Sequence, residues 1–137
     1  MSLQRKVIVL AVLCLSLFAS SAFAEIVGWL DTITPVAGWA CQKGSSTATT
    51  RIDVYVESTI VMSLPGNRPS EKAVADACGV PYGPAGTKNY RFALPTGDLV
   101  KAAKAKGVKS GTYNIHFYGV ASGNAELSGS PKSLYIP

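Results

Sequence analysis

Apolar and polar residues alternate strictly along positions 51–57 of the chain. Because successive side chains of a β-strand point to opposite faces, this pattern predicts a half-buried antiparallel strand. The predicted outward-facing residues are Arg51, Asp53, Tyr55 and Glu57. A second alternating stretch follows after a short turn and directs Ile60, Met62 and Leu64 to the apolar side. Together, the two stretches predict a β-hairpin with a tight turn.

The longest alternating stretch covers positions 112–120. It predicts a strand with one apolar face and one polar-aromatic face. The apolar face would carry Tyr113, Ile115 and Phe117, and the polar-aromatic face Asn114, His116 and Tyr118. Shorter stretches predict further strands at 26–31, 36–41, 90–94 and 134–136.

Two stretches between the strands have helical character. Residues 71–77 are rich in alanine, with Ser70 before them as a predicted N-cap. Residues 98–106 form the second stretch. The chain shows neither an internal repeat nor a linker, so we expect one domain at 25–137. The pattern predicts an all-β dominated fold, a small antiparallel β-sandwich (Ig-like) with one or two short helices in the connections.

The first 24 residues have the features of a secretory signal peptide. Arg5 and Lys6 give a positive start, an uncharged apolar run follows, and Ala22–Ala24 is a small-x-small cleavage site. The apolar run is too short to span a bilayer comfortably, which argues against a membrane anchor. We therefore expect a secreted or periplasmic protein that begins at Glu25 and has no stable membrane insertion.

Two cysteines, Cys41 and Cys78, would remain after cleavage. In an oxidising compartment an even cysteine count predicts a disulfide, and only one pairing exists. The alternative is a cysteine nucleophile, for which His116 is the only histidine that could act as the base. The CxxC spacing of metal sites is absent, so the structural disulfide is favoured.

Both tryptophans lie near the predicted start of the mature chain. Strand alternation places Trp39 on the same face as Cys41, which predicts a core tryptophan beside the disulfide. Trp29 is expected at the rim of the core, because large aromatic side chains are mostly buried. The alternative for Trp29 is exposure for ligand binding.

The motifs of this chain occur in a distinctive order: G-W-L-D, G-W-A-C, N-R-P, Y-R-F-A-L-P, T-Y-N-I-H-F-Y-G-V and L-S-G-S-P-K-S-L. In that order the chain resembles a small bacterial extracellular β-sandwich module that is often found in tandem or appended to larger secreted proteins. The resemblance covers nearly all of the predicted mature chain and implies an accessory role in binding a glycan or a surface. Gln42 stands where the family usually has an acidic residue, which weakens any calcium site implied by the resemblance.

Aromatic rings stack on sugars, and neighbouring amides and imidazoles bond to hydroxyl groups. If the strands at 51–57 and 112–120 are neighbours, their outward residues form one such surface. The candidate ligand-binding residues are Tyr55, Asn114, His116, Tyr118 and Trp29. The alternative is an ordinary solvated outer face, which is normally polar.

Scattered carboxylates at Asp31, Asp53 and Asp76 lack the spacing of a calcium loop and are expected to be solvated. We expect no metal, cofactor or catalytic residue, because one histidine among many serines does not indicate a triad. Lysines at 101, 104, 106 and 109 could contact an anionic partner, although charge runs are usually solvated helix faces.

Two functions are compatible with these features. The first is a secreted, non-catalytic binding module for a glycan or a cell-surface ligand. The alternative is a periplasmic protein-interaction factor, such as an enzyme inhibitor or immunity-type protein, with the loop at 79–88 as its contact segment. Loss of Arg5 and Lys6 would lower the net charge from +5 to +3. That mild charge, together with export, argues against a nucleic-acid partner.

Overall fold

The computed structural model describes residues 24–83 and 89–137. The predicted signal peptide, except for Ala24, lies outside the described residues, as does the 84–88 part of the predicted contact loop. In chain order the elements are β1 (Ile26–Ile33), β2 (Val36–Gln42), β3 (Arg51–Val56), β4 (Thr59–Pro65), β5 (Arg68–Pro69), α1 (Lys72–Cys78), β6 (Asn89–Leu94), α2 (Thr96–Ala105), β7 (Gly111–Val120), β8 (Asn124–Glu126) and β9 (Lys132–Ile136).

The strands of the described ranges form two antiparallel sheets. The first sheet has the order β1-β2-β6-β5, and the second has the order β4-β3-β7-β8. Strand β7 is long enough to pair with two strands on one side, β8 at one end and β9 at the other. The alternating stretches of the sequence therefore correspond to paired strands of one or the other sheet.

The two sheets pack face to face around a shared apolar core. Leu30 and Val36 of the first sheet and Val54 of the second are completely buried. Phe92 and Phe117, one from each sheet, stack with their ring centres 6.3 Å apart. This arrangement confirms the predicted small antiparallel β-sandwich with two short helices in its connections.

Helix α2 covers one side of this core. Leu99 and Ala103 are four residues apart, so they lie on the same helix face, and both are completely buried. The helix lies against β4 and β9 of the second sheet. Its opposite side faces solvent and carries Lys101 and Lys104.

Helix α1 lies on the outer side of the first sheet. Val74 and Cys78 of the helix pack with Cys41 and Tyr90 in a second, smaller apolar cluster. Cys41 and Cys78 are joined by a disulfide with a Cα–Cα distance of 6.1 Å, which confirms the predicted bond. The bond fixes α1 to β2 and encloses a segment of the chain with a sequence separation of 37.

The start of α1 differs from the prediction. The N-cap residue is Glu71, and Ser70 lies outside the helix. The buried Ser70 Oγ instead accepts a hydrogen bond from the Tyr90 amide at 2.8 Å, which fixes the helix entry to β6. Gly79 ends the helix with a φ of 66°, a left-handed conformation that glycine adopts without steric cost.

Trp39 shares a face with Cys41, as predicted, but that face is the outer one. Its side chain packs against the smaller cluster that contains the disulfide, as predicted, but it is partly rather than fully buried and lies outside the core between the sheets. Gly38 faces the inside instead. A Cβ atom on Gly38 would lie 2.6 Å from Phe92 Cζ, so the ring already fills the space that a side chain would need.

The predicted hairpin of β3 and β4 is present, but the alternation in β4 is interrupted. Val54 pairs with Met62 and Tyr55 pairs with Ile60, which leaves Val61 as the extra residue of a β-bulge. Val61 is buried, whereas Ile60 is 42% exposed. The predicted inward position of Ile60 is therefore wrong, because the bulge turns it to the outer face beside Tyr55.

The segment after β8 connects the two sheets. The Leu127 amide donates to the Phe117 carbonyl oxygen of the second sheet at 2.8 Å. The next residue, Ser128, bonds to β1 of the first sheet through the Leu30 amide at 2.8 Å and the Gly28 carbonyl oxygen at 3.1 Å. Ser128 therefore occupies the outer edge of β1 near its middle, directly after the residue that bonds to β7.

Candidate functional site

Strands β3 and β7 are neighbours in the second sheet, which is the condition that the predicted binding surface required. Tyr55 lies opposite His116, and Asp53 lies opposite Tyr118. Because side chains alternate along β7, Asn114, His116 and Tyr118 share the outer side of the sheet with Tyr55. We call this surface, formed by Tyr55, Asn114, His116 and Tyr118, the tyrosine face. Its role in binding stays a prediction.

The two tyrosines of this face contact each other edge to face. Their ring centres are 5.5 Å apart, and the planes meet at 77°. Such an arrangement brings the positive edge of one ring to the negative face of the other. Neither tyrosine is fully buried, so the pair offers apolar ring surface and hydroxyl groups at the protein surface.

Glu126 on β8 organises the polar part of the tyrosine face. Its Oε1 lies 2.7 Å from His116 Nδ1 and accepts a hydrogen bond from Ser130 Oγ at 2.9 Å. The Tyr118 hydroxyl donates to Glu126 Oε2 at 3.5 Å. Burial, followed by the negative charge of Glu126, raises the pKa of Tyr118, so this hydroxyl stays a proton donor.

Sequence reasoning missed Glu126 because β8 has only three residues and no alternating apolar pattern. It also missed Ile60, which the bulge in β4 places opposite Tyr55. Neither position has a local signal in the sequence, since both depend on the pairing of distant strands. The exposed Ile60 adds apolar area to the edge of the tyrosine face.

A shallow depression of about 300 Å³ adjoins the tyrosines. It is lined by Arg51, Asp53, Tyr55, Glu57, Tyr118, Val120 and Asn124. Asp53 Oδ1 accepts hydrogen bonds from Arg51 Nε at 2.7 Å and from Ser63 Oγ at 2.6 Å. The hydrogen bond from Arg51 is the main reason that the pKa of Asp53 is lowered. The carboxylate thus stays charged and fixed within the depression.

Trp29 lies on the other sheet and is not part of the tyrosine face. It pairs with Trp39 across β1 and β2, and 50% of its surface is exposed. On the same sheet, Arg91 bonds to Glu71 and to Asp31, the latter at 3.0 Å. The structure therefore brings four of the five predicted ligand-binding residues together and places Trp29 on a separate surface.

The three carboxylates considered as calcium ligands each contact a cationic side chain. Asp31 pairs with Arg91, Asp53 with Arg51, and Asp76 with Lys72. Within residues 24–83 and 89–137 no three histidine, cysteine or acidic side chains come together in a way that could hold a metal ion. These carboxylates instead form ion pairs between neighbouring residues or elements.

The polar groups around His116 differ from a nucleophile–base arrangement. The nearby Ser130 hydroxyl donates to Glu126 rather than to the imidazole, and it also accepts the Phe117 amide at 2.9 Å. A serine nucleophile would instead need a hydrogen bond to the histidine that activates it.

In the described part of the chain, the helices are too short or too polar to cross a membrane.

Comparison with protein-family models finds no family that matches this chain. No curated protein and no solved structure matches it significantly either. The resemblance to an extracellular β-sandwich module therefore stays a prediction from the motifs.

Proposed function

We propose that this protein is exported and binds a glycan, without catalysis, through the tyrosine face. The observation that carries the proposal is the edge-to-face pair of Tyr55 and Tyr118 beside the fixed His116–Glu126 pair. Apolar ring surface and oriented polar groups are adjacent on one open sheet. A sugar presents the same combination, with apolar C–H faces and a rim of hydroxyl groups.

The tyrosine face suits a ligand of this kind because most of its parts are already fixed. Tyrosine supplies a large, amphipathic contact area at a low cost in side-chain entropy. Glu126 holds His116 through Nδ1, which leaves Nε2 of the imidazole to meet a ligand hydroxyl group. Asn114 and Asn124 are exposed and add amide donors and acceptors on the same sheet.

The proposal predicts that binding depends on the tyrosine rings and not on the exposed tryptophan. An oligosaccharide array identifies the best-bound sugar, and calorimetric titration then compares variants. The double variant Tyr55→Ala/Tyr118→Ala should weaken binding by about tenfold or more. Trp29→Ala should leave the affinity unchanged, because this residue lies on the other sheet.

A second double variant, Tyr55→Phe/Tyr118→Phe, separates stacking from hydrogen bonding, because it keeps both rings and removes both hydroxyl groups. Circular dichroism of every variant checks that the fold is intact. Loss of binding in Trp29→Ala with full binding in the tyrosine variants would move the site to the first sheet. Chemical conversion of the bound sugar, followed over time by chromatography, would overturn the non-catalytic assignment.

A further inference from the structure

Four lysines are concentrated at the end of α2 and in the turn that follows it. We call them the lysine segment: Lys101, Lys104, Lys106 and Lys109. All four are exposed. The apolar residues between them, Ala103 and Val108, pack against the core, so the segment presents ammonium groups to solvent and keeps its hydrophobic side chains inside.

Among the described residues, no ion pair balances the charge of the lysine segment. In residues 24–83 and 89–137, six carboxylates lie within ion-pair distance of a basic side chain, but none of these pairs involves the segment. The pairs are Glu25–Lys43, Asp31–Arg91, Asp53–Arg51, Glu71–Arg91, Asp76–Lys72 and Glu126–His116. Uncompensated positive charge is therefore concentrated on one end of the molecule, where it attracts anions.

A cleft of about 260 Å³ lies between the lysine segment and the β3–β4 hairpin. Lys106 and Lys109 line one wall, and Tyr113 contributes an aromatic ring. Glu57 lies on the hairpin side, where its Oε1 accepts a hydrogen bond from the Asn114 amide at 3.1 Å. Two lysines and one carboxylate thus line the cleft, and the local balance of charge stays positive.

We propose that the lysine segment binds an anionic polysaccharide, with its carboxylate or sulfate groups paired to the four ammonium groups. A chain of regularly spaced anions can follow lysines that are distributed over a helix end and a turn. A bilayer surface is less suitable, because membrane-binding segments place large apolar side chains beside the charges, whereas this segment buries its own. The interaction uses residues outside the tyrosine face and does not depend on it.

Polygalacturonate is the anionic probe, and dextran is the neutral control. Binding is measured by surface plasmon resonance at low and at physiological salt. The native protein should bind polygalacturonate and not dextran, and affinity should fall steeply as salt rises, because exposed charges are screened. Lys106→Gln/Lys109→Gln should weaken the binding by about tenfold.

The matched control is Lys43→Gln/Lys72→Gln, which removes the same two charges from lysines that already pair with carboxylates. This variant should keep its affinity for polygalacturonate within about twofold, since its lysines lie outside the segment. Equal weakening by the two variants would show that only the total charge matters and would overturn the proposal.

Two further experiments distinguish the lysine segment from other binding surfaces. Tyr55→Ala/Tyr118→Ala should retain polygalacturonate binding, so failure of the tyrosine face would leave the lysine result intact. Vesicles of equal parts phosphatidylglycerol and phosphatidylcholine test the membrane alternative by co-sedimentation. Binding to these vesicles without binding to polygalacturonate would contradict the assignment to a polysaccharide.

Discussion

Gly38 packs against Phe92 so closely that a Cβ atom on Gly38 would lie 2.6 Å from Phe92 Cζ. The same Cβ would also meet the Trp29 carbonyl oxygen on the neighbouring strand. Because both neighbours are fixed in a packed core, Gly38→Ala should lower the free energy of unfolding by about 1–3 kcal/mol. Urea unfolding measures this change.

The control for this substitution is Gly97→Ala in α2. Nothing lies within 4 Å of a Cβ atom at Gly97, and alanine favours a helix more than glycine does. Gly97→Ala should therefore leave the stability unchanged or raise it. An unchanged unfolding midpoint in Gly38→Ala would mean that the sheet and Phe92 can separate more easily than the packing indicates.

The Cys41–Cys78 disulfide should contribute substantially to stability. It closes a loop with a sequence separation of 37, and in the chain-entropy model such a loop is worth about 4 kcal/mol. Reduction, or the double variant Cys41→Ala/Cys78→Ala, should lower the free energy of unfolding by a similar amount. Alkylation of the protein without reductant should label neither Cys41 nor Cys78, and labelling of both would disprove the bond.

Acid should weaken the contact of α1 with the first sheet. Hydrogen bonds from Arg91 lower the pKa of Glu71 from its usual 4.5 to about 2. A carboxyl group whose pKa is lower in the folded state stabilises the fold above pH 4.5, and this stabilisation is lost as the pH falls towards 2. Glu71→Gln should therefore be less stable than the native protein near neutral pH.

The difference between Glu71→Gln and the native protein should shrink as the pH falls, because protonation removes the same charge from the native side chain. Thermal unfolding across the acid range measures the difference. A constant difference at every pH would show that Glu71 acts through packing rather than through its charge. The pKa of Asp53 is also lowered, so acid also removes its stabilising charge. This loss is the same in the native protein and in Glu71→Gln, so it does not change the difference between them.

The two tryptophans should differ in their contribution to stability. Trp39 packs against the smaller cluster around the disulfide, so Trp39→Ala should cost about 2 kcal/mol, less than a fully buried tryptophan would. Trp29 is half exposed, and Trp29→Ala should cost about 0.5 kcal/mol or less. Equal costs in urea unfolding would contradict the placement of Trp39 beside the cluster.

Alternation in the sequence predicted most of the strands because it reflects a local property of the backbone. It correctly separated Ile115 and Phe117 from His116 and Tyr118, since one face of β7 is buried and the other is open. In β2 the same rule correctly put Trp39 and Cys41 on one face but did not show that this face is the outer one. Alternation defines two faces, but the packing of Phe92 from another strand decides which of them is inside.

The candidate site, like the fold, could be predicted only in part from alternation in the sequence. Tyr55 and Tyr118 could be predicted to share a surface only on the condition that their strands are neighbours, and the fold supplies that condition. Glu126 and Ile60 could not be predicted in the same way. Glu126 lies on a three-residue strand, and Ile60 reaches the outer face through a bulge set by the pairing of β3 with β4.

The two backbone hydrogen bonds that join Ser128 to Gly28 and Leu30 affect how the protein behaves at high concentration. An uncovered strand edge offers free amides and carbonyls, on which a second molecule can add a strand and begin aggregation. At β1 these groups are already used near the middle of the strand. The open edge at β4 is interrupted by the bulge at Val61 and ends at Pro65, which has no amide hydrogen. Both features disfavour edge-to-edge polymerisation at high protein concentration.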